Sequence, residues 1–250
     1  MEITKELLEM TKYKRTAGEL RFSASMFSQT DLQNFLTIVY GPEEPTSVGQ
    51  NTLGSIFHLG MEKGLTSNHD DNINEHTMQI ENWKDTGWIL SGTADRIEYP
   101  GIHSAVIKDY KLTKLYAGVS VKKDLNHAYR LQLNVLGYLL KQVDKSVTNV
   151  NMELDMFYKD ADILYHQQAY ENIPIQEITD VEQQTLDKVM SIDALIKAGE
   201  MPQECSTKDK WFRKLKTGTV IASRCEVYCS VSNSCPYYTK QNTKQVLSRW

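Results

Sequence analysis

The sequence predicts an α/β (α+β) fold, a mixed β-sheet flanked by helices, closed by a C-terminal four-cysteine metal knuckle. Three observations carry this. Strand-patterned segments run in series from Thr77 to Lys114, segments of helical period stand before and after them, and all four cysteines fall in the last fifth of the chain. A chain of 250 residues holds one full α/β domain with a small appended module. The expected division is a core over 1–200 and a cysteine-rich, metal-binding module over 201–250, packed on that core.

In chain order, the first sixteen residues mix apolar and charged positions and are expected to be helical. FSASMFSQTDLQNFLTIVYG follows as a second helix, entered through Ser23 or Ser25, and GPEEPTSVGQ is a loop rich in turn formers. A third helix is expected from about Thr52 to Lys63. TMQIENW, GWILSGTADRIEY and HSAVIKDYKLTK then read as a strand meander, the last two divided by the turn signal Pro100-Gly101. DLNHAYRLQLNVLGYLLKQV returns to helical period, with Leu125, Tyr129, Leu133, Leu136, Leu140 and Val143 on one apolar stripe that should pack on the sheet. VNMELDMFYK and ILYHQQAYENIPI are further strands. A last helix starts at the capping-box pattern of Thr179 to Glu182 and stops near Gly199, ahead of Pro202.

Bulk properties exclude several classes. Hydrophobic residues at 40% and charged residues at 24% are ordinary for a water-exposed globular chain, and no stretch approaches the roughly 20 apolar residues of a membrane span. The N-terminus lacks the apolar core of a secretory signal, so a cytoplasmic location and no membrane partner are expected. The formal charge of -4 argues against polyanion binding over the whole surface, so nucleic-acid contact needs a local basic patch. No G-x-x-x-x-G-K-[ST] loop is present, and unwinding of a duplex would need a partner.

The chemistry concentrates in two places. On a strand, Asp109 and Lys111 share one face, because side chains alternate with period two. If the preceding hairpin is centred on Ile102, Asp95 stands directly opposite Asp109. Two carboxylates at cross-strand distance repel each other unless a cation lies between them, and a hard ion such as Mg²⁺ is the natural occupant. An ion held there activates water and neutralises charge on a phosphodiester. Lys111 adds a positive charge near the water or the phosphate.

SGTADRIEY followed by VIKDYKLTK resembles the G-x-x-D … (D/E)-x-K core of the PD-(D/E)XK nucleases, in particular the branch of RecB-type nuclease domains and CRISPR-associated exonucleases. Gly54-Ser55-Ile56-Phe57-His58 resembles the G-x-x-x-H signature of that branch, and Gln132 falls at its Q-x-x-x-Y motif. The resemblance implies a restriction-endonuclease-like core and a Mg²⁺- or Mn²⁺-dependent deoxyribonuclease, an exonuclease or DNA-end-processing enzyme, with His58 joining Asp95 and Asp109 as metal ligands. Asp95, Asp109, Lys111 and Gln132 would be its catalytic residues, and DNA, single-stranded or as duplex ends, its substrate. A recombination, repair or CRISPR-type protein would be its partner. One position departs from the pattern. The family tyrosine would fall at Leu136, while Tyr138 lies further round the helix and Tyr129 shares the face of Gln132. An alternative function is a non-catalytic nucleic-acid-binding or assembly subunit that keeps the fold, against which the intact Asp95, Asp109 and Lys111 count.

Cys205, Cys225, Cys229 and Cys235 suit either tetrahedral Zn²⁺ or a [4Fe–4S] cluster. The final five-residue gap resembles that of cluster-bearing relatives. Those relatives place their distant cysteine before the nuclease core, where this chain has LQNFLTIVYG; here Cys205 takes its place. Between Cys205 and Cys225 lie Lys208, Lys210, Arg213, Lys214 and Lys216 around Trp211, a set of cations and a ring suited to single strands or DNA ends. Lys114, at the end of the Asp109 strand, is a further candidate for nucleic-acid contact.

Overall fold

The computed structural model describes residues 17–41, 56–61, 72–114, 127–161, 169–210, 212–214, 220–222, 225 and 229–238. The helix expected at the N-terminus lies outside these residues. Of the helix expected from Thr52 to Lys63, residues 56–61 are helical and the ends lie outside. The chain forms two compact units. One comprises Met1–Leu20, Gln29–Leu53 and Met190–Trp250, and the other Arg21–Ser28 with Gly54–Val189.

The second unit holds the sheet. Its strands are β1 (Arg21–Ser23), β2 (Ile73–Ile80), β3 (Ile89–Gly101), β4 (Ser104–Thr113), β5 (Asn149–Tyr158) and β6 (Tyr170–Ile175), ordered β1-β3-β4-β5-β6 with β2 also paired to β3. The β1–β3 and β4–β5 pairs are parallel and the others antiparallel, so the sheet is mixed as expected. Leu90 and Ser91 pair with both β1 and β2, which places these strands on opposite edges of β3. The strand β2 begins at Ile73, four residues before the expected Thr77. The turn between β3 and β4 also lies further along than Pro100-Gly101: Gly101 pairs with Ser104 across Ile102 and His103.

Parallel β4 and β5 need a crossover, and the helix α1 (His127–Val143) lies between them in the chain. Leu131, Leu133, Val135, Leu136, Leu139 and Leu140 are all buried on it, a wider face than the expected stripe, while Val143 in its last turn is 45% exposed. Leu125 lies outside the described residues. Close approach to the sheet depends on Gly92 of β3. A Cβ there would lie 2.5 Å from Leu136 Cδ2 and 3.2 Å from both Leu139 Cδ1 and Ala24 Cβ. On β1 and the 3₁₀ turn after it (Ala24–Ser28), Phe22, Ala24 and Met26 are buried.

The first unit contains the helix Asp31–Tyr40. Its entry is Thr30, not Ser23 or Ser25. The Thr30 hydroxyl accepts from Gln33 N while Gln33 Oε1 accepts from Thr30 N, a capping box that satisfies two donors at once. Ser23 and Ser25 bond to each other at 3.1 Å instead. Leu32, Phe35, Leu36 and Val231 form a buried cluster, with Val39, Leu195, Ile196, Cys205, Cys229 and Cys235 packed against it. The long helix Val181–Ala198 starts behind Asp180, whose carbonyl accepts the first helical bond from Gln184 N, so Asp180 and not Thr179 is its cap. It ends at Gly199, φ +66°, where Gly199 N bonds Ile196 O and Glu200 N bonds Leu195 O in a Schellman closure. The segment after Cys205 contains a one-turn helix (Thr207–Lys210) and a two-strand ribbon, β7 (Phe212–Lys214) with β8 (Val220–Ala222).

Candidate active site

The site forms where β3 and β4 part. Their ladder holds Glu98↔Val106, Ile97↔Ile107 and Arg96↔Lys108, the register of a hairpin centred on Ile102, and then stops one pair short of Asp95 and Asp109. Instead of a ladder bond, Tyr110 N donates to Asp95 Oδ2 at 2.6 Å. The strand β4 keeps its place because all ten of its residues pair in parallel with β5, from Ser104↔Asn149 to Thr113↔Tyr158.

On the far side of this fork Asp109 is buried and fully engaged. Lys111 Nζ lies 2.9 Å from its Oδ1 and 2.7 Å from its Oδ2, and Gln132 Nε2 of α1 donates to Oδ1 at 3.0 Å. Burial pushes the Asp109 pKa up and the Asp95 charge adds to this, while Lys111 and His58 act against it. Burial presses the Lys111 pKa down, but Asp109 and Asp95 outweigh it and hold the ammonium above its ordinary value. The Tyr129 ring lies 5.7 Å from Lys111 Nζ. Tyr138 is elsewhere, accepting from Trp83 Nε1 at 3.1 Å.

His58 reaches Asp95 from the helical segment 56–61, with Nδ1 at 3.4 Å from Oδ1. Aromatic packing fixes that segment: Phe57 lies 4.9 Å from Phe157 of β5, which in turn lies 5.0 Å from Tyr170 of β6. The hydrogen bond to Asp95 raises the His58 pKa, burial lowers it, and the charges of Asp95 and Glu75 favour the imidazolium. Glu75 was missed in the sequence. One donor atom each from His58, Glu75 and Asp95 lie within 4.8 Å of one another. The strand pairing that would have revealed it is visible only in the structure: Asn74↔Arg96 and His76↔Ala94 bracket Glu75 opposite Asp95.

The four cysteines, all in the first unit, line one cavity together with Leu32, Gln33, Leu36, Asp209, Ser232 and Tyr238. Thr30 Oγ1 lies 3.3 Å from Cys205 Sγ. Burial and the neighbouring sulfurs push the Cys225 thiol up to about 11. Among the basic candidates, Lys114 is exposed just past β4 and Lys208 is exposed on the one-turn helix. Lys210 is paired with Glu204. Arg213 and Lys214 lie on β7, and Trp211 and Lys216 fall outside the described residues.

The mixed sheet thus carries a D … D-x-K fork with the crossover glutamine beside it. A sequence model of the PD-(D/E)XK nuclease superfamily matches residues 69–236, taking in Asp95, Asp109, Lys111, Gln132 and all four cysteines but not His58. The chain belongs to the PD-(D/E)XK nuclease superfamily, and nucleic acid is its substrate. The crystal structure of SSO0001 shares the fold, at a TM-score of 0.55 and 18% identity, over 94% of this chain and 95% of that one. An alkaline exonuclease (LHK-Exo) from Laribacter hongkongensis aligns over 78% of this chain and 94% of its own, at 10% identity and a TM-score of 0.39. No curated protein sequence matches this chain. Among the described residues, no helix is long and apolar enough to cross a membrane.

Proposed function

We propose that the protein is a Mg²⁺- or Mn²⁺-dependent deoxyribonuclease that trims DNA single strands or duplex ends. The observation that carries this is the fork itself, which gathers Asp95, Asp109 and Lys111 with His58 and Gln132 at the end of a buried ladder. His58, Asp95 and Asp109 offer one imidazole nitrogen and carboxylate oxygens, a donor set that fits a hard divalent ion with open positions. Such an ion, when bound, supplies activation of water and neutralisation of charge on the phosphate. Lys111 is paired with Asp109, works against the rise that burial imposes on the Asp109 pKa, and keeps a positive charge beside the scissile phosphate. Gln132 fixes the rotamer of Asp109, so the carboxylate needs little reorganisation when substrate arrives. Lys114, Lys208, Lys210, Trp211, Arg213, Lys214 and Lys216 are assigned to phosphate and base contacts.

For the cysteines the proposal is a [4Fe–4S] cluster rather than Zn²⁺. What supports a shared centre is that all four thiols line one cavity, and what favours the cluster is the five-residue gap between Cys229 and Cys235, which resembles that of cluster-bearing relatives. The absorption spectrum and metal content of anaerobically purified protein test this, and a colourless protein carrying one zinc would refute the cluster.

Catalysis is tested with labelled single- and double-stranded DNA, in Mg²⁺, Mn²⁺ or EDTA. Asp109→Ala and Lys111→Ala should abolish cleavage while leaving the circular-dichroism spectrum and DNA binding intact. Cleavage by both purified variants at the wild-type rate, or in EDTA, would remove the assignment.

A further inference from the structure

We propose that Glu75 is a further protein ligand, beside His58, Asp95 and Asp109, of the divalent cation at this site. The inference rests on the metal-dependent function proposed above and adds a residue outside the D … D-x-K pattern. Three observations support it.

The first is how the carboxylates are already engaged. Both oxygens of Asp109 are held by Lys111, with Gln132 donating to one of them. Asp95 Oδ2 accepts from Tyr110 N, whereas Asp95 Oδ1 faces His58 Nδ1. The donors that converge are thus on the β2 side of Asp95, where one atom each from His58, Glu75 and Asp95 fall within 4.8 Å.

The second is the backbone. The pairing of β2 with β3 keeps one register from Ile73↔Ile97 to Ile80↔Leu90 but passes over Glu75 and Asp95. Glu75 has φ +49°, a left-handed conformation that a glutamate adopts at a cost of order 1–3 kcal/mol. The two strands therefore depart from regular pairing just where the two carboxylates meet.

The third is the chemistry of the set. Two carboxylates this close repel each other, and a cation they share relieves that repulsion. Imidazole is a ligand of transition metals more than of Mg²⁺, which prefers oxygen donors, so one nitrogen with two carboxylates favours Mn²⁺. An ion of six-fold coordination held by these ligands keeps positions for water and phosphate oxygens.

The test uses the full chain and Mn²⁺ alone. Binding is followed by loss of the free-ion electron paramagnetic resonance signal, for wild type, Asp95→Ala, Glu75→Gln and Glu75→Asn. Asparagine tolerates positive φ, so Glu75→Asn preserves the backbone if Glu75→Gln misfolds. Both Glu75 variants should raise the Mn²⁺ dissociation constant by about tenfold or more. The Mn²⁺ needed for half-maximal DNA cleavage should rise in step, with the rate at saturating Mn²⁺ changed less. Wild-type Mn²⁺ affinity in a folded Glu75 variant, with Asp95→Ala deficient, would overturn the role of Glu75 alone. Absence of Mn²⁺ binding by the wild type would overturn the metal-dependent function together with it.

Discussion

Leu136 stands four residues after Gln132, at the position where the family pattern has a tyrosine, and its role here is packing. Its Cδ2 occupies the space that a side chain on Gly92 would need. Gly92 is also the glycine of the G-x-x-D pattern, so the small residue three places before Asp95 admits α1 and lets Gln132 reach Asp109. Gly92→Ala should destabilise the protein by about 1–3 kcal/mol through overpacking. In a urea-denaturation double-mutant cycle, Leu136→Ala should offset part of that loss, giving a non-additive pair. At this scale Asp95, Asp109, Lys111, Gln132 and His58 were legible because each stands in a spaced pattern. Glu75 was not, because its place is set by pairing across two strands, and its own neighbours Asn74 and His76 carry no apolar alternation to mark a strand.

Elements show the same division between local and tertiary information. The strands β3, β4 and β5 were legible from β-branched and aromatic runs, and α1 from its period. The start of the helix Asp31–Tyr40 was misplaced because serines at Ser23 and Ser25 compete with Thr30 as caps, and only the reciprocal bond to Gln33 decides between them. Thr30→Ala should lower stability by about 1 kcal/mol, measured by urea denaturation. A second test concerns the sheet. Glu98 lies between Arg96 Nε at 2.7 Å and Lys108 Nζ at 3.2 Å. Burial pushes its pKa up, but the two cations overcome this and hold it below the ordinary value of 4.5. The stabilisation is therefore present above pH 4.5 and is lost as pH falls through the lowered pKa. Glu98→Gln should be less stable than wild type by about 1 kcal/mol at pH 7, and the gap should close as the pH is lowered past that point.

For the whole molecule, the distribution of the chain between two units was the least legible feature. Gln29–Leu53 shares a unit with Met190–Trp250 although 136 and more residues of sequence separate them, and no local pattern encodes such a grouping. Its cause is burial: Leu32, Phe35 and Leu36 offer the apolar face against which Val231, Cys205, Cys229 and Cys235 pack. Val231→Ala should therefore lower amide-exchange protection in Asp31–Tyr40 and in residues 229–238, while β4 and β5 keep theirs. The tip of the β3–β4 hairpin has a different use. Ile102 is 85% exposed, the register already shifts between Glu98 and Gly101, and the alignment of β4 is secured by β5 along its whole length. A fluorophore or short affinity peptide introduced at Ile102 would thus hang from a strand whose other end carries Asp109 and Lys111, giving a handle for immobilising the protein with its catalytic fork left undisturbed.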